Sequence, residues 1–167
     1  MNAEQLRAAQ APLKTLYKED PAAALRTLHA RGRITDDEPT VRLETGHGKV
    51  LAGLHPATGG SGEDACSGDM LLESLAACAG VTFKAVATAL GIELSNGYVI
   101  VEGDLDFRGT LGVAKDAPVG FSAIRLRYEF ESNASPEQRA TLLKLVERYC
   151  VIYQTLRNPP AIQVSLA

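Results

Sequence analysis

The chain has 167 residues, which predicts a single domain with a core of ordinary size. Its 17 basic and 20 acidic residues give a formal net charge of −3, and aromatic residues make up 5% of the chain, with no Trp. An acidic balance argues against nucleic acid or an anionic membrane surface as the main partner. The low aromatic content also argues against a surface that stacks nucleic-acid bases.

The N-terminal residues contain no apolar stretch followed by a small-residue cleavage site. We therefore expect no secretory signal and a cytoplasmic location. Three cysteines in such a chain favour reduced thiols, used for reactivity or packing, over structural disulfides.

The N-terminal region is rich in Ala, Leu and Arg, which predicts helix over residues 2–31. We expect breaks at Pro12 and at Asp20-Pro21, where Asp20 can cap a second helix, and an end at Gly32. Residues 1–38 are predicted to form a helical extension, and residues 39–167 the main domain.

A hairpin is predicted over residues 40–54, where apolar and polar residues alternate on both sides of Gly46-His47-Gly48. Residues 55–68 form a glycine-rich loop. This loop has no Gly-Lys-Ser/Thr ending, which excludes a phosphate-binding P-loop.

A long helix is predicted to begin at Ser67 as N-cap and to end at Gly91 in a Schellman-type turn with Ile92. Glu73 and Lys84 interrupt its apolar stretch, which favours a buried helix over a membrane span. Because this helix is apolar nearly all round, we expect it to be covered by its own sheet and by a second subunit. The apolar positions are Leu71, Leu72, Leu75, Ala76, Ala77, Val81, Phe83, Val86 and Leu90.

The rest of the chain predicts strands at 97–107 and 121–131, a loop at 109–120 between them, and a helix opened by a Ser135–Gln138 capping box. One face of that helix is expected to carry Leu142, Leu145, Val146 and Tyr149. Asn158-Pro159-Pro160 breaks the chain before a last strand, AIQVSLA. Strands, helix, strands, helix and strand in this order predict the α+β class.

Two cysteines stand out by their context, Cys78 inside the long helix and Cys150 at the end of the second. On spacing alone, each is better explained as a small core residue, since free cysteines are among the most buried residues. A reactive Cys78 needs a nearby cation or hydrogen-bond donor, because burial raises a thiol pKa. No metal site is expected, because the three histidines (His29, His47 and His55) and the cysteines fit no ligand spacing.

The segments CSGDMLLESLAACAGVTFKAVATALGI, GDLDFRG, PVGFSAIRL and RYCVIYQTLRNPP resemble the OsmC/Ohr family of thiol-dependent hydroperoxide reductases. The resemblance runs from about Val41 to the C-terminus. It implies an OsmC-like α+β fold in which curved antiparallel sheets wrap central helices in an intertwined homodimer. The active sites would then lie at the subunit interface.

The same resemblance implies a chemistry. Cys78 matches the nucleophile that attacks an organic hydroperoxide, with hydrogen peroxide as a further substrate, and Cys150 matches the cysteine that resolves the sulfenic acid to a disulfide. An external dithiol resets the enzyme, and no cofactor is required.

The family also places an Arg beside the nucleophile and a Glu that holds this Arg. We assign the Arg to Arg42, ahead of His47 and Lys49, because its charge is permanent and its guanidinium is forked. The Glu position falls on Gly68, so Asp69 and Glu73 are the nearest candidates.

Two further points stay open in the sequence. We interpret Cys66, on the glycine-rich loop, as incidental to the chemistry. The alternative to an enzyme is a non-enzymatic homodimer that binds a small apolar or electrophilic ligand in the interface cleft.

Overall fold

A computed structural model describes residues 1–36, 38–45 and 48–166. Its helices and strands are α1 (Ala3–Glu19), β1 (Arg31–Ile34), β2 (Val41–Thr45), β3 (Gly48–Gly53), β4 (Ala65–Cys66), α2 (Ser67–Ala89), β5 (Ser95–Asp104), α3 (Phe107–Thr110), β6 (Ala123–Glu131), α4 (Pro136–Tyr149) and α5 (Val151–Arg157). Two 3-10 turns lie at Pro21–Ala24 and Pro56–Thr58. The predicted α+β class is confirmed.

The chain divides into two compact units, each built from segments that are distant in the sequence. The first unit holds Met1–Glu19, Ser74–Ile100 and the residues from Leu126 onward, and the second holds Asp20–Glu73 and Val101–Arg125. This division does not test the boundary expected at residue 38, which stays a prediction.

The second unit contains a four-stranded sheet in the order β1-β2-β3-β4. The first three strands are antiparallel, with Arg42 opposite Arg33 on one side and Leu51 on the other, and β4 runs parallel to β3. The predicted hairpin is therefore confirmed as β2–β3. Gly46 and His47 of its turn lie outside the described residues.

The N-terminal prediction is wrong in two places. Pro12 lies inside α1, and no residue of this helix is buried, so water can reach the carbonyl group that the missing proline N–H leaves unpaired. The helix expected to reach residue 31 is absent from residues 25–30, and β1 begins at Arg31, where it pairs antiparallel with β2. Asp20 does cap as predicted, by accepting a hydrogen bond from the Ala22 N–H at 3.1 Å, but the helix it opens is a single 3-10 turn.

The central helix α2 ends as the sequence predicts. Gly91 has φ +69, and the Ile92 and Gly91 N–H groups donate to the carbonyls of Ala87 and Thr88, which is the Schellman pattern. One stripe of α2 is buried, and it consists of Leu75, Ala79, Phe83 and Ala87.

Other positions predicted as apolar and covered on α2 are open in the single chain. Val81 on the other side is 73% exposed. By length and composition α2 is also the single helix in 1–36, 38–45 and 48–166 that could cross a membrane. The core helix of a soluble protein meets that criterion too, and Phe83 and Ala87 do pack in a core.

The core of the first unit brings α2 together with β6 and α4. Its buried members are Phe83, Ala87, Ile92, Ala134, Leu142 and Val146, with Val86, Leu94, Tyr128 and Phe130 packed against them. The capping box of α4 is present as predicted, with Ser135 and Gln138 bonding each other's backbone N–H groups. Tyr149, however, is exposed, and Cys150 takes its place on the buried line that continues from Leu142 and Val146.

Three further differences concern chain ends and connections. Strands β5 and β6, which pair with each other, differ from the predicted ranges 97–107 and 121–131 by a few residues. Helix α3, capped by Asp106, replaces the end of the first predicted strand and the start of the loop. The last predicted strand is absent from the described residues. Its apolar residues Ile162, Val164 and Leu166 are exposed, and no strand in the described part of the chain pairs with them.

Candidate functional site

Cys78 and Cys150 meet in the first unit, although they are 72 residues apart in the sequence. Their Sγ atoms lie 3.4 Å apart, and both thiols are free. Cys78 lies in the middle of α2 and is partly exposed, whereas Cys150 is completely buried. An incoming reagent therefore has access to Cys78 first.

Cys150 occupies the junction between two helices. It follows Val146 by one helical turn, so the buried side of α4 carries its side chain inward. Its backbone is extended (φ −74, ψ 110), which ends α4 and makes Cys150 the N-cap of α5. The first N–H groups of a helix have no partner inside it, so those at the start of α5 are available to a nearby acceptor.

The N–H groups at the start of α5 affect the pKa of the Cys78 thiol. Burial acts to raise the pKa of Cys78, but hydrogen bonds from the Ile152 N–H, the Cys150 thiol, the Val151 N–H and the Thr82 hydroxyl outweigh it. The pKa of Cys78 is therefore below its ordinary value. Hydrogen-bond donors of this kind stabilise a thiolate, which is the condition that a reactive Cys78 must meet.

The pKa of Cys150 moves in the opposite direction. Burial is the main cause, and the hydrogen bond that its thiol donates to Cys78, together with the negative charge there, raises this pKa further. The pair thus consists of a partly exposed thiol with a lowered pKa and a buried thiol with a raised pKa. This arrangement allows Cys78 to act as a nucleophile and Cys150 to attack a modified Cys78 afterwards.

The residues predicted to support Cys78 belong to the second unit. Arg42 is exposed on β2, and Asp69 and Glu73 are exposed in the first two turns of α2. Across the described ranges, none of the three makes a side-chain hydrogen bond or an ion pair. Their proposed roles stay predictions. His47, weighed against Arg42, lies outside the described residues.

Gly68, at the position where the family carries its Glu, lies close to three side chains. A Cβ atom added there would lie 3.5 Å from the Phe121 ring and 3.6 Å from both Leu105 and the Cys66 Sγ atom.

Cys66 lies in a separate cleft of the second unit, lined by His55, Asp69, Phe107 and Phe121 among others. His55 stacks on Phe107 with ring centroids 4.8 Å apart, and its Nδ1 accepts a hydrogen bond from the Ala57 N–H. Among the side chains that the structure describes, no group of three or more His, Cys, Asp or Glu residues is placed to hold a metal ion. That Cys66 is incidental stays a prediction.

Sequence reasoning missed the donors around Cys78. Thr82 follows Cys78 by one helical turn, a spacing that could have indicated it. Val151 and Ile152 carried no such signal, because only the fold brings the start of α5 to the middle of α2.

The family described as OsmC-like protein matches residues 60–165, which is more than half of the chain. The chain belongs to the OsmC-like family. No curated protein sequence matches it.

Solved structures support the OsmC-like fold. An OsmC-like protein from Mycoplasma pneumoniae is similar with a TM-score of 0.66 and 19% identity, over 80% of this chain and 89% of that one. An organic hydroperoxide resistance protein from Elizabethkingia anophelis, with crystallant-derived thiocyanate bound, has a TM-score of 0.62 and 15% identity. The match covers 81% of this chain and 91% of that one. An organic hydroperoxide resistance protein from Legionella pneumophila is similar with a TM-score of 0.61 and 18% identity, over 81% of this chain and 92% of that one. At these identities the likeness establishes the fold, and the predicted OsmC-like fold is confirmed.

Proposed function

We propose that this OsmC-like protein is a thiol-dependent peroxidase that reduces organic hydroperoxides. The observation that carries the proposal is the Cys78–Cys150 pair, with sulfur atoms 3.4 Å apart and thiol pKa values shifted in opposite directions. The names of two similar structures, organic hydroperoxide resistance proteins, point to the same class of substrate.

The first step is nucleophilic. The Cys78 thiolate attacks the terminal oxygen of the hydroperoxide, the O–O bond breaks, and the alkoxide leaves and takes up a proton to become an alcohol. The sulfur of Cys78 is oxidised by two electrons to a sulfenic acid while the peroxide is reduced.

The second step closes the disulfide. The Cys150 sulfur attacks the Cys78 sulfur, the S–O bond breaks, and the oxygen leaves as water with the proton that Cys150 gives up. An external dithiol then exchanges with the Cys78–Cys150 disulfide and restores both thiols. A dithiol of this kind fits the cytoplasmic location proposed from the sequence.

A homodimer belongs to the proposal. Val81 on α2 and Ile162, Val164 and Leu166 near the C-terminus are large apolar side chains left exposed in one chain. A second subunit that covers them would complete the wall around Cys78 and favour alkyl hydroperoxides over hydrogen peroxide. Arg42, helped by Asp69 or Glu73, is proposed as the cation of this completed site.

The test counts free thiols and measures intact mass after one equivalent of an alkyl hydroperoxide is added. We expect the wild type to lose two thiols per chain, mapped to a Cys78–Cys150 disulfide and restored by a dithiol. Cys78→Ser should lose none. Cys150→Ser should lose one and form an adduct with dimedone, a reagent for sulfenic acids.

Cys66→Ser is the matched control, because it removes a thiol from the other unit and should behave as the wild type. Wild-type thiols that survive the hydroperoxide would contradict the peroxidase. That result would favour the alternative, a homodimer that binds a small apolar or electrophilic ligand.

A further inference from the structure

The turn between α4 and α5 interrupts a helical hydrogen bond. Helix α4 ends at Tyr149, and the extended backbone of Cys150 (ψ 110) separates it from α5. In a continuous helix the Glu147 carbonyl would accept a hydrogen bond from the Val151 N–H, four residues further along. The turn at Cys150 takes the Val151 N–H out of this ladder and leaves the Glu147 carbonyl without its helical donor.

The side chain of Gln154 supplies another donor. Its Nε2 atom donates to the Glu147 carbonyl at 2.7 Å, and its Oε1 atom accepts from the Asn158 Nδ2 atom at 3.2 Å. Because a carbonyl oxygen only accepts, the first bond fixes which end of the carboxamide faces α4. The Gln154 backbone N–H also donates to the Cys150 carbonyl at 2.9 Å, as the first bond of α5. Gln154 therefore ties the start of α5 to the end of α4.

Cys150 lies between these two bonds. Its N–H donates to the Val146 carbonyl of α4 at 2.9 Å, and its carbonyl accepts from Gln154 of α5. Its side chain is completely buried, and its Sγ atom lies 3.4 Å from that of Cys78. A change in the turn between α4 and α5 would therefore change the position of the Cys150 sulfur.

The same turn affects two backbone donors. Burial raises the pKa of Cys78, but hydrogen bonds from the Ile152 N–H, the Cys150 thiol and the Val151 N–H lower it. A Val151 N–H that stayed in the helical ladder would be bonded to Glu147 instead. By bonding Glu147 in its place, the Gln154 side chain leaves this N–H available.

We propose that Gln154 is a positioning residue of the thiol pair, because its carboxamide holds the turn that brings Cys150 within reach of Cys78. The inference rests on the proposed peroxidase function, in which Cys150 attacks the sulfur of an oxidised Cys78. The S–S bond forms, the S–O bond breaks, and the oxygen leaves as water with the proton from Cys150. A misplacement of about 1 Å can slow such a step about 100-fold, so the turn has a direct effect on its rate.

Gln154→Met tests the inference, because Met keeps the length of the side chain and favours a helix but donates no hydrogen bond. In a single turnover with an alkyl hydroperoxide, we expect disulfide formation to slow about fivefold, the effect of losing one ordinary hydrogen bond. Sulfenic acid trapped by dimedone should rise accordingly. Without peroxide, the midpoint for alkylation of Cys78 by iodoacetamide should move to higher pH, because the donors at the turn lose their position.

Gln154→Ala is the second variant, because Ala also removes the donor and is the strongest helix former. Both variants should show slower disulfide formation and a higher alkylation midpoint. A defect in the Ala variant alone would assign the effect to packing and overturn the inference. Gln10→Met, in α1, is the matched control. Gln10 is also partly exposed in a helix, and its replacement should leave both measurements unchanged.

A Gln154→Met protein that closes its disulfide as fast as the wild type overturns the inference and leaves the peroxidase intact. An unchanged alkylation midpoint also overturns it, because the Cys150 thiol is one of the donors to Cys78. Wild-type thiols that survive the hydroperoxide overturn the peroxidase. The alkylation midpoints need no peroxide, so they would then decide alone whether Gln154 positions the pair.

Discussion

Cys78 and Cys150 share one hydrogen bond but differ in what surrounds them. At Cys78 burial is outweighed by hydrogen bonding from the Ile152 N–H, the Cys150 thiol and the Val151 N–H, which lowers its pKa, whereas burial raises the pKa of Cys150. The two pKa values thus move apart because hydrogen bonds outweigh burial at Cys78, whereas burial prevails at Cys150.

The alkylation of Cys78 is expected to show this effect. Because its pKa is lowered, more thiolate is present at neutral pH, so the rate of reaction with iodoacetamide should reach its midpoint below pH 8.5, about the value for an ordinary cysteine. Cys150→Ala removes one donor and should move the midpoint to higher pH.

Cys66→Ala is the control for the alkylation experiment and should leave the midpoint of Cys78 in place. An unchanged midpoint in Cys150→Ala would mean that the Cys150 thiol does not stabilise the Cys78 thiolate.

At this scale the roles that the sequence assigns to the two cysteines and to Arg42, Asp69 and Glu73 stay predictions. The resemblance to a known family picked out Cys78 and Cys150, and thiol chemistry required a cation or donor. The cation from the early hairpin stays a prediction, and hydrogen bonding from the first N–H groups of α5, the Cys150 thiol and Thr82 lowers the pKa of Cys78. Nearly every residue carries a backbone N–H group. The sequence therefore does not indicate which of these groups the fold brings close to Cys78.

Elements whose boundaries depend on local interactions were predicted well. The capping box at Ser135 and the Gly91 end of α2 each depend on residues within one or two turns. Elements that depend on distant partners were predicted poorly. β1 exists because it pairs with β2, and AIQVSLA, with its alternating pattern, finds no strand to pair with in the described chain.

The end of α2 offers a test of local stability. Gly91→Ala places a Cβ on a residue with φ +69, and open space around it leaves only the backbone strain. We expect the free energy of unfolding to fall by about 1–2 kcal/mol, measured by urea denaturation.

Gly97→Ala serves as the control, because Gly97 also has open space around an added Cβ but no positive φ. It should be neutral within about 0.5 kcal/mol, as ordinary surface substitutions are. Equal losses in the two variants would contradict the role of the left-handed conformation.

Several large apolar side chains are exposed in the single folded chain. A 23-residue helix that is buried along one stripe and carries an exposed Val81 suits a subunit interface. The composition of α2 alone predicts that a second subunit covers this helix. The dimer stays a proposal.

Val81→Asp tests the dimer. A charge buried between two subunits is strongly unfavourable, so the variant should elute as a folded monomer in size-exclusion chromatography with light scattering. Val113→Asp is matched in residue type and exposure, 74% against 73%, but lies in a loop and should remain dimeric. A Val81→Asp protein that stays a dimer places the interface elsewhere.

The short distance between the two sulfur atoms has a consequence for the proposed peroxidase. Reacting groups held together in a folded chain reach effective concentrations of about 10⁵–10⁸ M, far above any peroxide in a cell. With Cys150 at 3.4 Å in the reduced chain, an oxidised Cys78 has a partner at hand before a second peroxide molecule arrives. Irreversible oxidation to a sulfinic acid is thereby outcompeted, so the protein should tolerate bursts of peroxide that inactivate thiol enzymes whose second cysteine must first move into place.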